Sequence, residues 1–317
     1  MSVRISAVVC THNRAAYLRK ALRSLVCQTL ARELYEVVVV DNASADSTRE
    51  VVAEFGDVSN LRYLYEPVVG VSRARNAGWR GAKGEYVAYL DDDAVASPEW
   101  LEKFVEVFET FEPSPGCVGG KIEAIWEASR PDWLADGMLG YLSVLHWSDV
   151  PVVLNQDQWL SVCNMAYPKE LLQAVGGFRE ELGRQGTTLR TNEENYLRQQ
   201  LDSLGRCSLY HPEIVVHHHV SASRLTKKWF RQRGRWQGIS DSTMLYLDSG
   251  EGLSLSRRMR LTLSKIGWAL LRLPLMLIAA TSAARFRRQC QVLEVIGFVS
   301  GLWARGSSIS GCGHEPG

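Results

Sequence analysis

The first 110 residues alternate between short apolar runs and segments whose apolar residues recur every three or four positions. Mostly apolar runs predict strands at 5–10, 35–40, 61–65 and 85–90, the first covered on both faces and the second buried. The periodic segments predict the intervening helices, at 17–28, 47–55, 71–81 and from Ser97-Pro98-Glu99 onward. Four such alternations predict an α/β fold with a doubly wound, mostly parallel sheet.

The pattern loosens after residue 116, where the predicted elements are less regular. They are an edge strand at 119–125, a strand at 159–166, a helix at 168–175, a helix at 191–201, and two short strands at 208–210 and 214–216 around Pro212. Glycines close both helices, Gly176-Gly177 after the first and Gly205 after the second.

Polar residues follow three of the first four predicted strands: Thr11, Asn13 and Arg14, then Asp41 and Asn42, then Asp91, Asp92 and Asp93. The carboxyl ends of parallel strands meet at one edge of a sheet, where such folds bind ligands. We therefore predict a binding site at this edge. Neither the glycine fingerprint of dinucleotide-binding folds nor a P-loop occurs, which argues against those two classes.

The three consecutive aspartates indicate a cation site, because adjacent carboxylates gain nothing from their own repulsion and desolvation. Oxygen ligands favour Mg²⁺ or Mn²⁺. The alternative is a solvated acidic turn that caps the following helix. His217 to His219 follow a predicted strand and add candidate ligands, although alternation lets one or two at most face a common site. Glu193 and Glu194 open a predicted helix, where they either favour the helix dipole or act chemically.

Charge is distributed unevenly along the 317 residues, although the net charge is only +1. Residues 223–305 carry 15 Lys/Arg against 4 Asp/Glu, which leaves the remainder of the chain acidic. This asymmetry predicts a nucleic acid or a membrane surface as partner. No recognised nucleic-acid motif accompanies the basic segment, so we predict the membrane.

Seven short motifs resemble, in order, those of family 2 glycosyltransferases, which have the GT-A fold. They are residues 8–14, 38–44, 73–78 and 90–93, Gly177-Phe178, Glu193-Glu194, and Pro212 with His218. The resemblance covers about residues 3–245 and implies a GT-A-like α/β sheet followed by a helical, membrane-associating extension.

The resemblance also implies roles for the matching residues. The nucleotide-sugar donor would be contacted by Thr11, Asn13, Arg14, Asp41, Asn42, Arg75, Asn76, Asp91 and Asp92. Asp93, with Asp91 and His218, would hold Mn²⁺ or Mg²⁺. Glu194 would be the general base, with Glu193 as the alternative.

The activity so implied is metal-dependent transfer, with inversion in a single displacement, of a sugar from a nucleotide-diphosphate donor, UDP-sugar favoured. The acceptor would be a hydroxyl of a glycan or lipid-linked molecule in polysaccharide, glycolipid or cell-envelope synthesis. A sugar nucleotidyltransferase is one alternative, but its glycine-rich basic signature is missing after the first strand. A degenerate glycan-binding or scaffold protein is another, and the intact carboxylates argue against it.

The predicted domains are a catalytic domain at 1–245, with a nucleotide-binding half at 1–110 and an acceptor and base half at 111–245, a helical extension at 246–305 and a flexible tail at 306–317. Tryptophans within 126–149 either line an acceptor cleft or only pack. The basic segment 224–235 either holds the diphosphate or packs as an amphipathic helix.

Two apolar stretches lie in the extension, at 266–284 and 292–303. Arg272 and Pro274 interrupt the first, and arginine clusters flank it, so helices lying in the membrane interface fit better than a span. A span, a hairpin or a soluble helical appendage are the alternatives. The polar N-terminus and isolated cysteines favour the cytoplasm, with peripheral attachment to the inner face of the membrane.

Overall fold

The computed structural model describes residues 2–250, 252–277 and 281–304, the side chains of 273–277 excepted. The predicted tail at 306–317 lies outside these residues. The strands are β1 Ile5–Thr11, β2 Tyr35–Asp41, β3 Leu61–Tyr65, β4 Tyr86–Asp91, β5 Ala94–Ala96, β6 Cys117–Trp126, β7 Val152–Val153, β8 Asn164–Pro168 and β9 Ser208–Val220. The helices are α1 Ala15–Val26, α2 Thr48–Ala53, α3 Val71–Gly81, α4 Trp100–Thr110, α5 Lys169–Val175, α6 Glu193–Ser203, α7 Lys227–Asp248, α8 Leu255–Leu277 and α9 Ser282–Ala304.

The strands of the described residues form one mixed sheet in the order β3-β2-β1-β4-β8-β6-β9-β5, with β7 paired to β9. The first four strands are parallel; the apolar residues of β1, β2 and β4 are almost all buried, whereas those of the edge strand β3 are half-buried or exposed. Val8 contributes to the core on one face, whereas its neighbours Ala7 and Val9 contribute to the other. The prediction of a doubly wound α/β fold is therefore confirmed.

The second half of the sheet differs from the prediction in three places. β6 is an interior strand and not an edge strand, because β8 and β9 pair on either side of it. β8 begins only at Asn164, and the two short strands predicted around Pro212 are one strand, β9. The register of β6 shifts after Gly120, where a Cβ atom would lie 1.9 Å from the Ile214 carbonyl oxygen. Glycines that suggested a loose edge instead allow this close approach.

The described chain divides into two compact units. The first consists of 1–127, 142–180 and 193–220 and contains the whole sheet; the second consists of 128–141, 181–192 and the chain from 221. The boundary predicted near residue 245 stays a prediction.

Helices α7 and α9 pack closely within the second unit. A Cβ atom on Gly238 would lie 1.9 Å from the Glu294 carbonyl oxygen, and one on Gly297 equally close to that of Arg235. The helices can approach this closely only because both positions lack side chains. Phe230, fully buried on α7, makes edge-to-face contacts with the rings of Trp133 and Phe286.

The predicted basic segment 224–235 thus forms the start of α7, and Trp133 packs as one alternative had it. Among the described residues, no helix combines the length and the apolar character that crossing a bilayer requires.

Candidate active site

The three aspartates lie at the turn between β4 and β5. Asp91 is the last residue of β4 and is paired beside Cys10 of β1, so it lies next to the end of that strand. Its side chain is 37% exposed, whereas those of Asp92 and Asp93 are almost completely buried. Burying two adjacent carboxylates requires compensating positive groups or hydrogen-bond donors nearby.

Asp91, Asp93 and His218 form the one cluster of potential metal ligands found among the described residues. One ligand atom from each lies within 4.8 Å of the others, and His218 Nε2 lies 3.2 Å from Asp93 Oδ1. His218 is delivered by β9, which pairs antiparallel with β5 so that His218 is opposite Ala94. Two carboxylates and one imidazole suit Mn²⁺. The two carboxylates also suit Mg²⁺, because that ion prefers oxygen ligands. The buried His218 Nδ1 atom has no hydrogen-bond partner in the described part of the chain.

Asp92 points to the loop after β1 and not into this cluster. Its Oδ2 accepts a hydrogen bond from Thr11 Oγ1 at 2.8 Å, and its Oδ1 lies 2.7 Å from Arg14 NH1. The same guanidinium nitrogen lies 2.9 Å from Asp93 Oδ2. Burial raises the pKa of the Asp92 carboxyl to about 6, although the charge of Arg14 opposes this shift. Arg14 therefore compensates two buried carboxylates at once.

Arg75 joins the aspartate turn to the acidic pair at the start of α6. Its NH1 lies 2.5 Å from Glu193 Oε1, and its NH2 lies 3.4 Å from Asp91 Oδ1. Burial lowers the pKa of Arg75, but the carboxylates of Glu193 and Asp91 outweigh it, and the pKa is raised. The guanidinium therefore stays charged and holds the two carboxylates on opposite sides of one cation.

Glu193 and Glu194 are the first residues of α6 and have different surroundings. Glu193 is buried, and its Oε1 is occupied by Arg75. Glu194 is half-buried and lies one position further along the helix. Consecutive residues of a helix are about 100° apart around its axis, so the two carboxylates point in different directions.

Asp41, Asn42 and Asn13 stabilise the loops beside β1 and β2. Asp41 accepts hydrogen bonds from the Ser44 amide at 2.9 Å and from Tyr63 Oη at 2.7 Å, and burial together with this carboxylate raises the pKa of Tyr63 to about 12. Asn42 bonds to the backbone at 66, 68 and 70, and Asn13 Oδ1 accepts from the backbone at 45. Their contacts to a donor molecule stay predictions.

Asn76 also bonds to the protein itself. Its Nδ2 donates to the Phe178 carbonyl at 2.8 Å, and its Oδ1 accepts from the Phe178 amide at 2.9 Å and from Trp79 Nε1 at 3.0 Å. Gly177, at φ +77°, has no room for a Cβ atom, which would lie 2.5 Å from Asn76 Oδ1. These hydrogen bonds hold the motifs around residues 76 and 178 together. A ligand role for Asn76 stays a prediction.

Each of the three consecutive histidines has a different carboxylate partner. His217 Nε2 lies 3.2 Å from Glu123 Oε2 at an exposed position, while His218 faces Asp93. His219 Nδ1 lies 3.1 Å from Glu127 Oε1. Strand alternation explains why His218 points inward from between its two neighbours. Of the three side chains, that of His218 contacts an aspartate of the turn, and its role as a metal ligand stays a prediction.

Sequence reasoning missed Tyr17 and Glu127, which extend the contacts of His219. Tyr17 Oη donates to both oxygens of Glu127, at 2.8 and 2.9 Å, and its ring makes an edge contact with that of His219. The His219 amide donates to the Asp93 carbonyl at 2.8 Å. The spacing of Arg14 and Tyr17 at one helical turn was an available signal, but nothing in the sequence connects either with Glu127.

Comparison with known proteins identifies the fold and the family. Over 96% of this chain and 88% of the other, the structure resembles a mannosyltransferase of Pyrobaculum calidifontis in complex with GDP-mannose and Mn²⁺, with a TM-score of 0.64 and 18% identity. The fold is therefore GT-A, as predicted. The model of glycosyl transferase family 2 matches residues 6–173, which is more than half of the sequence. The chain belongs to glycosyl transferase family 2.

Two curated relatives match over most of their length. A glucosyl-dolichyl phosphate glucuronosyltransferase of Haloferax volcanii is 25% identical over 76% of this chain and 77% of its own. The succinoglycan biosynthesis protein ExoM of Rhizobium meliloti is 25% identical over 95% of this chain and 93% of its own. Both names concern the synthesis of glycans or glycolipids, and glycosyltransferase activity of this kind is supported for the present chain.

Proposed function

We propose that this chain is an inverting, metal-dependent glycosyltransferase that moves a sugar from a nucleotide-diphosphate donor to a hydroxyl group of a glycan or lipid-linked acceptor. The observation that carries the proposal is the meeting of Asp91, Asp93 and His218 with the Arg75–Glu193 pair at one edge of the sheet. A metal-ligand set and an acidic helix terminus lie together there, which is the arrangement that transfer from a diphosphate requires.

Asp91, Asp93 and His218 would hold Mn²⁺ or Mg²⁺. When bound, such a cation neutralises the charge that develops on a diphosphate leaving group, which contributes several kcal/mol. Arg14 would keep Asp92 and Asp93 oriented through contacts of 2.7 and 2.9 Å. Thr11 and Asp92 would contact the nucleotide side of the donor, together with Asn13, Asp41 and the other residues that the family resemblance implies.

Glu194 is the proposed general base, because Glu193 is already paired with Arg75. Glu193 Oε1 lies 2.5 Å from the permanently charged guanidinium of Arg75, so this carboxylate is held in a buried ion pair. Glu194 stands at the position that the family resemblance assigns to the base, and it would take the proton of the acceptor hydroxyl as it attacks the sugar. One base without a covalent nucleophile gives a single displacement, and hence inversion.

The test compares Glu194→Gln with Glu193→Gln. We expect Glu194→Gln to abolish transfer while binding of the nucleoside diphosphate, measured by calorimetry with Mn²⁺, stays near the wild-type affinity. Glu193→Gln removes a buried charge and is expected to lower stability before it lowers the rate of transfer per folded molecule. Transfer by Glu194→Gln at near the wild-type rate would reject the assignment.

A panel of nucleotide sugars identifies the reaction and the donor. We propose a UDP-sugar, and GDP-mannose is the first alternative because a protein of the same fold holds it. Slow release of nucleoside diphosphate that needs Mn²⁺ or Mg²⁺ supports the proposed transfer. Pyrophosphate chemistry would instead support a nucleotidyltransferase, and complete inactivity with every donor would support a binding or scaffold protein.

The proposed location is the inner face of a membrane, with peripheral attachment through the C-terminal region. The support is the charge of α8, which carries five basic residues and no acidic residue. A lipid-linked acceptor would be reached from such a position.

A further inference from the structure

One face of α8 exposes a continuous row of large apolar side chains. The row consists of Leu255, Met259, Leu263, Ile266 and Leu270, which are between 41% and 67% exposed. Leu271, at 76%, lies beside it, so that six of the fourteen exposed large apolar residues of the described chain belong to this helix. Chance exposure scatters such residues singly, whereas a concentration marks an interaction surface.

The spacing of four, four, three and four residues places the row on one side of the helix. At 100° per residue the five positions lie within about 80° of one another, and they extend over roughly 22 Å of helix. A different side of the helix packs within the second unit: Leu261, about 160° around the axis from the middle of the row, packs against the cluster of Tyr246 and Phe298. Ala269, about 80° around the axis from the middle of the row, is buried. The row is therefore a second apolar face and not the side that packs.

The two apolar stretches of the C-terminal region differ in how far their apolar side chains are buried. On α9, the buried residues include Phe286, Cys290, Phe298 and Leu302, so the apolar side of this helix is packed within its unit. On α8 the row remains exposed, and it begins at Leu255, eleven residues before the apolar stretch read from the sequence. The structure thus singles out one helix of the two.

Charge identifies the partner of this face. Arg257, Arg258, Arg260, Lys265 and Arg272 are the charged residues of α8, and all are basic. Arg257 and Arg260 are exposed, while Arg258 and Lys265 lie over the rings of Tyr246 and Phe298. A helix with an exposed apolar row and only positive charges matches an anionic lipid surface, with the apolar row in the acyl boundary and the arginines on phosphates.

Two other occupants fit less well. A second copy of α8 would bring five positive charges against five others with no acidic residue on either helix to pair them. The chain's own C-terminal segment, 305–317, has Ile309 as its single large aliphatic or aromatic side chain, so its composition offers little to cover five apolar residues.

We propose that the row Leu255–Met259–Leu263–Ile266–Leu270 on α8 is a docking surface for an anionic lipid bilayer. This inference deepens the proposed location at a membrane and rests on it. In the proposed contact, one face of α8 enters one leaflet of the bilayer, while α7 and α9 remain packed in the protein.

The experiment measures co-sedimentation of the full chain with vesicles of phosphatidylcholine containing about one third phosphatidylglycerol. The variant Leu263→Ser/Leu270→Ser is expected to bind these vesicles about 100-fold more weakly, at roughly tenfold for each buried leucine. Leu204→Ser is the matched control, because Leu204 is 53% exposed on the first unit and Leu270 is 58% exposed. The control is expected to bind like the wild type.

A second variant, Arg257→Gln/Arg260→Gln, tests the charge separately. It is expected to bind the anionic vesicles about 30-fold more weakly, to bind pure phosphatidylcholine as the wild type does, and to show less dependence on salt. Because all four substituted side chains are exposed, neither variant removes a packed group, and the two variants give independent measurements.

Three results would overturn the proposal. They are wild-type binding by the double serine variant, equal wild-type binding to neutral and anionic vesicles, and a dimer in sedimentation velocity that the serine substitutions dissociate. Donor hydrolysis in detergent-free solution separates this question from the transfer reaction. Unchanged hydrolysis with lost vesicle binding supports the surface, whereas vesicle binding without any hydrolysis would leave the surface supported and the proposed reaction refuted.

Discussion

Replacing Arg75 with methionine is expected to lower the free energy of unfolding by about 3–5 kcal/mol. Methionine keeps much of the length and apolar character of arginine, so the change mainly removes the positive charge. The side chains of Arg75 and Glu193 are only 7% and 9% exposed, and the closest nitrogen and oxygen are 2.5 Å apart. Removal of the cation therefore leaves the Glu193 carboxylate buried without its partner.

The magnitude follows from the burial of the pair. Two unit charges with centres about 4 Å apart interact by about 4 kcal/mol at an effective dielectric constant of about 20. The contact of Arg75 with Asp91 adds less, because it is 3.4 Å long and Asp91 is 37% exposed to solvent. Most of the loss should thus come from Glu193.

The assay is urea unfolding followed by fluorescence and circular dichroism, with Arg75→Met, Glu193→Gln and the double variant forming a cycle. The double variant should recover a large part of the loss, because it removes the charge that was left unpaired. Arg73→Met is the matched control: Arg73 pairs with Glu180 at the same 2.5 Å, but the side chains are 41% and 38% exposed. The control should lose less than about 1 kcal/mol.

A loss below about 1 kcal/mol in Arg75→Met, equal to that of the control, would refute the reasoning. So would a double variant whose loss is the sum of the two single losses, since additivity means that the two side chains do not interact.

Two further substitutions test the packing of the metal cluster and of the C-terminal helices. Glu127→Gln is expected to weaken Mn²⁺ binding about tenfold, as measured by electron paramagnetic resonance, because Glu127 fixes His219, whose amide donates to the Asp93 carbonyl. The control Glu123→Gln, beside the exposed His217, should leave the Mn²⁺ affinity unchanged. Equal affinities in the two variants would contradict this role. Gly238→Ala should destabilise the second unit by several kcal/mol, given a Cβ atom 1.9 Å from a carbonyl oxygen, whereas Gly267→Ala, with open space around its Cβ, should stabilise α8 by up to about 1 kcal/mol in thermal unfolding. An unchanged midpoint for Gly238→Ala would show that α7 and α9 are not so closely packed.

The parallel half of the sheet was predictable because each of its strands is a short run of mostly apolar residues. The bounds of β3 and α3 agree with the prediction to the residue, and β1, β2 and β4 agree to within one. The mixed half was not predictable in the same way, because its strands gain their burial from partners distant in sequence. β6 shows this most clearly: two adjacent glycines look like a loose edge, yet Gly120 permits the close approach of β9, and Gly119 that of Leu160 and Asn164.

The sequence by itself determined the chemistry that this protein offers: three aspartates after a strand, an acidic pair at a helix start and a histidine triplet. These are local properties, because residue type and strand or helix periodicity fix which groups leave an element and at which end. Tertiary structure decided which partners each of these side chains contacts. It placed Asp91 and Asp93 with His218, turned Asp92 to Thr11 and Arg14, and committed Glu193 to Arg75.

It also decided which apolar helix packs and which remains exposed, since α8 and α9 have similar composition but only α9 lies tightly against α7. The physical reason is the same in each case. Pairing of buried charges and close packing of helices depend on distances between residues far apart in the chain, and those distances exist only once the chain has folded.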